Sequence, residues 1–263
     1  MAVSSTKQTI GITLGVCLVC SVLVSVAAVT LKPIQQKNAE TDKLKNILMA
    51  AGLLGENTNI EKTYEKNIHP VLIDLSSGKE VQNPPNPSLA PDQYDLKAVA
   101  KDPLTNRSIN PDEDWAHIRE MPKIVLVYQV IKNDSVDQWI LPVYGKGLWS
   151  TMYGLLALDR DLRTVRGFTF YEHGETPGLG GEVDNPAWKR QWIGKKISDG
   201  SGALRIQVIK AKVSADDPDA AYKIDGLSGS TLTTRGVNNL IQFWLGEEGY
   251  ATFMHIHQPK TNS

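Results

Sequence analysis

Between Lys7 and Lys32 the chain runs for 24 residues without a charged side chain, and Ile10 to Leu31 is rich in Val, Leu and Ala. At about 1.5 Å of rise per residue, such a run spans a bilayer core of roughly 30 Å. Residues 10–31 are therefore read as one transmembrane helix, behind a short cytoplasmic tail at 1–9. A secretory signal peptide competes for the same residues, since Ser25-Val26-Ala27 has the small side chains of a cleavage site. The apolar run is longer than the usual signal core, which favours a retained anchor. Lys7 flanks one side of the run, and Lys32, Lys37, Lys43 and Lys45 flank the other. By lysine count alone, the larger C-terminal part would face the cytoplasm.

About 230 residues follow the anchor, enough for one sizeable core. The formal net charge is −1 and no basic stripe runs along the chain, which argues against nucleic acid as a partner. Membrane lipid is the partner that the apolar run implies. Cys17 and Cys20, the only cysteines, fall inside that run, so the soluble part holds no disulfide framework. They share a helix face, but two thiols do not complete a four-ligand iron–sulfur site, and a contact between helices accounts for them.

Downstream, Leu44, Ile47, Leu48 and Ala51 recur at helical spacing, predicting an amphipathic helix over 39–54 that continues from the anchor. A short helix is expected over 58–68, capped by Thr58 or Asn59, then a strand over 70–75 and a proline-rich loop over 83–91. Acidic residues early and Arg119 late predict a helix over 111–121, ended by Pro122. Strands are expected over 123–131, 138–144, 153–159, 165–171 and 204–209, with Asn133-Asp134 as a tight turn. Successive short strands imply an antiparallel sheet, hence an α+β fold with flanking helices. The juxtamembrane region is placed at 32–122, the sheet domain at 123–250 and a C-terminal tail at 251–263. No glycine-rich dinucleotide fingerprint follows a strand and no Walker motif is present, which argues against a nicotinamide site on this chain. His255 and His257 lack a third ligand nearby and are read as tail residues, so no metal site is expected.

The segment Asp225-Gly226-Leu227-Ser228-Gly229-Ser230-Thr231-Leu232-Thr233-Thr234 puts hydroxyls at the start of a helix. Val237, Leu240, Ile241 and Trp244 form its apolar face over 232–245, and Gly246 ends it. An anion there would meet unpaired N–H groups and the positive end of the macrodipole, although ordinary capping chemistry uses the same residue types. A second segment, His173-Gly174-Glu175-Thr176-Pro177-Gly178-Leu179-Gly180-Gly181-Glu182-Val183, is a loop dense in Pro and Gly that lets backbone approach a planar ligand. Asn185-Pro186 then opens a short helix with Trp188, Trp192 and Ile193 inward and Gly194 as its stop.

The order Asp225-x-x-Ser228-Gly229-Ser230-Thr231 resembles the flavinylation motif of covalent-FMN subunits of bacterial respiratory complexes. Ser230 stands where that family usually has Ala. With the Glu175–Gly180 segment and Gly145-Lys146-Gly147-Leu148-Trp149-Ser150, the chain resembles, over nearly its full length, the C-subunit family of sodium-translocating NADH:ubiquinone oxidoreductases. The G subunits of Rnf complexes share the threonine motif. The Gly180–Trp188 continuation and the long insert after the anchor separate this chain from them.

The resemblance implies FMN joined to Thr231 by a phosphoester, with Ser228, Gly229 and Ser230 around the phosphate. Glu175, Thr176, Pro177, Gly178, Leu179, Gly180 and Trp149 would wall the ring, with His173 a neighbour of the pocket. It also implies an electron carrier in the inner membrane, its soluble domain periplasmic, against the lysine count. Its partners would be the B, D, E and F subunits of the same complex: an iron–sulfur site between the D and E subunits, the flavin of the B subunit, and the F subunit as the one that oxidises NADH. A magnesium-dependent flavin transferase would mature it. A membrane scaffold without flavin, in which the hydroxyls only cap a helix, is the reading from another class.

Overall fold

The computed structural model describes residues 6–259, so Met1 to Ser5 of the expected N-terminal tail and the last residues of the expected C-terminal tail lie outside the described residues. The chain divides into two compact units at Lys43/Leu44. Helix α1 (Thr6–Ala50) begins in the first, and it is long and apolar enough to cross a membrane. Pro33 lies inside it and has no N–H for the preceding turn.

The end of α1 belongs to the second unit, where Ile47, Leu48 and Ala51 are buried as their spacing predicts. Gly52, at φ 68°, turns the chain out of the helix, and the N–H of Leu53 reaches back to the Leu48 carbonyl at 2.8 Å. Helix α2 (Ile60–Asn67) follows, its N-cap Asn59 accepting from the Lys62 N–H. Strand β1 (Ile68–Asp74), helix α3 (Leu96–Lys101) and the short strands β2 (Asn106–Ser108) and β3 (Glu120–Pro122) lead to the main hairpins. These are β4 (Ile124–Lys132), β5 (Ser135–Lys146), β6 (Thr151–Asp159) and β7 (Val165–Glu172). Helix α4 (Pro186–Arg190), the parallel pair β8 (Gln207–Val208) and β9 (Lys223–Ile224), α5 (Thr231–Leu245) and α6 (Ala251–His257) complete the order.

Five strands form one antiparallel sheet in the order β1-β4-β5-β6-β7. Asn133 and Asp134, at φ 50° and 57°, make the two-residue turn between β4 and β5, a conformation whose twist suits the strands. Because side chains alternate along each strand, the sheet has two buried faces. On one, Val125, Val127, Leu141, Val143, Leu156 and Phe168 share a core with Val237, Leu240, Ile241, Trp244 and Phe253. On the other, Leu126, Tyr128, Ile140, Leu155 and Ala157 share a core with Ile47, Leu48, Leu89, Tyr94 and Val99. The segment before residue 123 thus contributes a strand and half a core to the sheet domain.

Four local expectations are corrected. Residues 111–121 do not form a helix. The buried Asp114 carboxylate accepts the N–H groups of Ile118 and Arg119 at 2.9 and 2.8 Å, while His117 and Arg119 hold φ of 53° and 66°. A side chain that takes those donors offers the backbone an alternative to helical pairing. The strand expected over 204–209 shrinks to β8, and Ile193 is exposed while Trp188 and Trp192 are buried. Residues 251–257 are helix, with Phe253 and Met254 buried and the His257 ring 5.5 Å from that of Trp139.

The Ala50–Ala51 turn is held against the sheet at two points. Gln138 Nε2 donates to the Ala51 carbonyl at 3.2 Å, and a Cβ on Gly167 would strike the Ala50 carbonyl oxygen. Gly167→Ala is expected to lower the stability of this unit by about 1–3 kcal/mol, because backbone must move to admit the methyl. Urea unfolding of the full chain in detergent checks it, and an unchanged midpoint would show that Ala50 is not seated on β7.

Candidate functional site

Helix α5 is set by close approach to β5. A Cβ on Gly236 would lie 2.5 Å from the Lys146 carbonyl oxygen, and one on Gly145 would lie 2.6 Å from Leu240 Cβ. One turn further on, Trp244 Nε1 donates to the Tyr144 carbonyl at 2.7 Å. Gly236, Leu240 and Trp244 fall at i, i+4 and i+8, so this face of the helix lies along β5. The helix mouth is thereby held against the β5–β6 turn at residues 147–150.

The loop entering α5 is stapled from behind. Asp225 accepts the Val213 N–H at 2.7 Å through Oδ1 and the Trp188 indole N–H at 2.9 Å through its carbonyl, and its own N–H donates to Gln191 Oε1 at 3.1 Å. Gly229 turns at φ 73°. Five hydroxyls follow Leu227 within the segment ending at Thr234, and the fold separates them. Thr234 Oγ1 accepts the Leu227 N–H at 3.0 Å, Thr233 Oγ1 donates to Glu175 Oε2 at 2.5 Å, and both side chains are buried. Ser230 is the buried N-cap, but its side chain makes no capping bond. Ser228 and Thr231 are exposed, and only Thr231 stands in the first turn of the helix.

Glu175 ties three segments together. It is 5 % exposed, and besides the Thr233 hydroxyl it accepts the Trp149 N–H at 3.0 Å. Burial pushes its carboxyl up, but the Thr233 hydroxyl and the backbone donors of Trp149, Leu148 and Ser150 outweigh that and hold it below the ordinary range. Gly180 is required for the same contact, since a Cβ there would lie 2.5 Å from Thr233 Oγ1 and 2.8 Å from Glu175 Oε2. The Glu175 carboxylate therefore points inward and positions the site. His173 Nδ1 accepts the Glu175 N–H at 3.2 Å, and its Nε2 meets Asp184 Oδ2 at 2.8 Å.

Outside this buried contact lies an apolar rim. Trp149 is 66 % exposed, and its Nε1 donates to Thr176 Oγ1 at 3.1 Å. The Leu179 side chain lies 3.2 Å from where a Cβ on Gly229 would be, which brings the Pro-Gly loop to the helix entry. Leu148 and Leu232, which lie within the motif segments without an expected role, are exposed as well and adjoin Trp149 and Thr231 in sequence. Thr176, Pro177 and Gly178 are exposed, with Gly178 at φ 75°. A helix mouth that its N-cap side chain leaves open, beside exposed Trp and Leu, suits a ligand with one phosphate and one planar ring.

Residues 147–246 match the model of the FMN-binding domain family, a span that holds the rim, the Glu175 contact and the helix mouth. The chain is 45 % identical to the C subunit of the Na(+)-translocating NADH-quinone reductase of Pseudomonas aeruginosa, over 95 % of each chain. It is 42 % identical to that of Haemophilus ducreyi, over 95 % of this chain and 93 % of the relative. The chain belongs to this C-subunit family. The crystal structure of Shewanella oneidensis NqrC superposes with a TM-score of 0.74 at 32 % identity, covering 83 % of this chain and 98 % of that one. The crystal structure of the corresponding C subunit from Parabacteroides distasonis gives 0.64 at 26 %, covering 85 % and 96 %.

Membership in the C-subunit family makes this chain part of a sodium-translocating oxidoreductase complex, with FMN as its cofactor. The α+β expectation holds, and membrane association follows from α1 together with membership in a sodium-translocating reductase. The rim's apolar side chains and the open helix mouth fit that cofactor.

The sign of the Glu175 shift gives a test. A carboxyl lowered on folding contributes stability above the unfolded value of about 4.3, and that contribution is lost as pH falls through the lower folded value. Glu175→Gln is expected to destabilise the unit at neutral pH by about 1–3 kcal/mol and to flatten this part of its acid dependence. Urea midpoints of both proteins between about pH 3 and 7 measure it. Parallel curves would detach Glu175 from the acid response.

Proposed function

We propose that the chain is a membrane-anchored electron carrier whose FMN is joined through its phosphate to Thr231 Oγ1. The observation that carries this reading is the sorting of the hydroxyls: those of Thr233 and Thr234 are buried and bonded, while Thr231 is exposed in the first helical turn. When bound, FMN supplies one-electron chemistry. The protein holds and surrounds it. The N–H groups of the first turn of α5 and the helix dipole meet the phosphate charge, with Ser228 and Gly229 beside them. Trp149, Leu179, Thr176, Pro177 and Gly178 border the ring, and Glu175 with Gly180 holds that border to the helix.

In the proposed sequence of transfers, electrons pass between an iron–sulfur centre of the D and E subunits and the flavin of the B subunit, while the F subunit oxidises NADH. A flavin transferase loads Thr231, whose exposure leaves it open to such an enzyme. The soluble unit is placed in the periplasm. The opposing lysine count is narrow, because Lys43 is the last residue before the unit that starts at Leu44 and Lys45 lies within that unit, and large folded domains are translocated largely regardless of charge.

Thr231→Ala is expected to abolish the covalent adduct with a stability change of about 1 kcal/mol or less. Flavin fluorescence on a denaturing gel, with the mass of the peptide spanning this position, reads it out. A surviving adduct would move the attachment to Ser228, the other exposed hydroxyl. For orientation, alkaline phosphatase fused after Ser263 is expected to be active and green fluorescent protein dark. The reverse pattern would put the soluble unit in the cytoplasm.

A further inference from the structure

Beside Leu232 the first two turns of α5 open onto a cleft of about 460 Å³. Arg235, Asn239 and Leu232 line it from the helix, Lys146 from the end of β5, Leu148 from the β5–β6 turn, and His117 from the loop that replaces the expected helix. Its cationic side chains are Arg235 and Lys146, His117 also lines it, and among the described residues no carboxylate does. Arg235 follows Thr231 by four residues, so the two share a helix face with Cβ atoms about 5–6 Å apart. Lys146 is tethered by a bond from Nζ to the Trp149 carbonyl at 3.3 Å, which brings its charge toward the rim. The His117 wall is itself fixed: its neighbours Ile118 and Arg119 are bound by Asp114, and the Ala116 carbonyl accepts the Lys146 N–H at 2.8 Å.

We propose that this cleft is the phosphate-recognition pocket of the flavin site, and that Arg235, seconded by Lys146, makes the protein select FMN over riboflavin. The proposal rests on the reading of Thr231 only for where the flavin lies. A helix mouth offers an anion roughly half a charge, and that falls off within the first turn. Free FMN, a phosphate monoester, carries more than one full charge at neutral pH, and the diester that joins it to Thr231 carries one. The guanidinium, with its planar fork of donors one turn from Thr231, supplies the missing charge and fixes the phosphate's orientation. Leu148 and Leu232, at the lip of the cleft, leave the rest of the ligand on the apolar rim.

Attachment and recognition are separated by working in the full chain carrying Thr231→Ala, purified in detergent, with free FMN and free riboflavin as probes and quenching of flavin fluorescence as readout. FMN is expected to bind about tenfold or more tightly than riboflavin, the range of a charge-assisted hydrogen bond converted at tenfold per 1.4 kcal/mol. Adding Arg235→Gln is expected to bring the ratio close to one by weakening FMN alone. Lys146→Gln should lower it partly, and Arg235→Lys should keep most of it. The preference should also shrink as salt rises. FMN binding no tighter than riboflavin in the Thr231→Ala chain, the absence of both included, overturns the proposal. So does a ratio that Arg235→Gln leaves unchanged. Failure of the Thr231 assignment is read separately, as an adduct mass on another residue of the unsubstituted chain.

Discussion

The contact between Glu175 and Thr233 is the interaction on which the site depends. A carboxylate taken out of water costs several kcal/mol unless donors replace its hydration. Here they come from two other segments: the β5–β6 turn gives backbone N–H groups and α5 gives a hydroxyl. Satisfying the charge therefore requires the three segments to meet. If the β5–β6 turn moves away, the buried carboxylate loses its backbone donors, and if the Pro-Gly loop swings away it takes Glu175 with it and leaves the Thr233 hydroxyl without its acceptor. The exposed groups inherit their positions from this buried one, which is how a shallow surface made of loops becomes defined.

A second constraint acts along the helix. Small residues at Gly145 and Gly236 bring α5 into contact with the backbone of β5, and Trp244 locks it by bonding the Tyr144 carbonyl. The buried face of the helix fixes its rotation, and rotation decides which first-turn hydroxyl turns outward. Thr231 and Arg235 share the exposed side, while Thr233, Thr234 and Gly236 turn in. Local chemistry alone would leave the hydroxyls equivalent. Packing makes them different.

Much of the fold was legible because it is written in local periodicity. The short apolar runs of β4 to β7, the Asn133-Asp134 turn and the α5 face from Val237 to Trp244 each carry their signal within one element. The site's surface was legible only through motif resemblance, and that resemblance set Glu175 among the ring-walling residues, whereas its carboxylate turns inward. Nothing in the local sequence couples Glu175 to Thr233, 58 residues away. Asp114 shows the same limit in the opposite direction: acidic residues ahead of an arginine read as a helix start, until a buried carboxylate takes the N–H groups that a helix would have used. Helix α6 was missed because its buried apolar side chains, Phe253 and Met254, are too few to declare a period in a segment of seven residues.

The exposure of the rim bears on why a tether belongs in the proposed function. Pockets that retain small ligands by burial alone cover most of the ligand surface. Trp149 is 66 % exposed, and Leu148, Leu179 and Leu232 are all open, so the rim offers contact on a face and little enclosure. A deeper pocket would hold a flavin better, but it would also lengthen the path to any electron partner. A covalent link through Thr231 removes that conflict. It makes ring contact intramolecular, at an effective concentration near the millimolar range for a short flexible link, so weak apolar contacts suffice to seat the ring. The open side of the rim then stays available to a partner's redox centre, and a bond at the helix mouth replaces the enclosure the surface lacks.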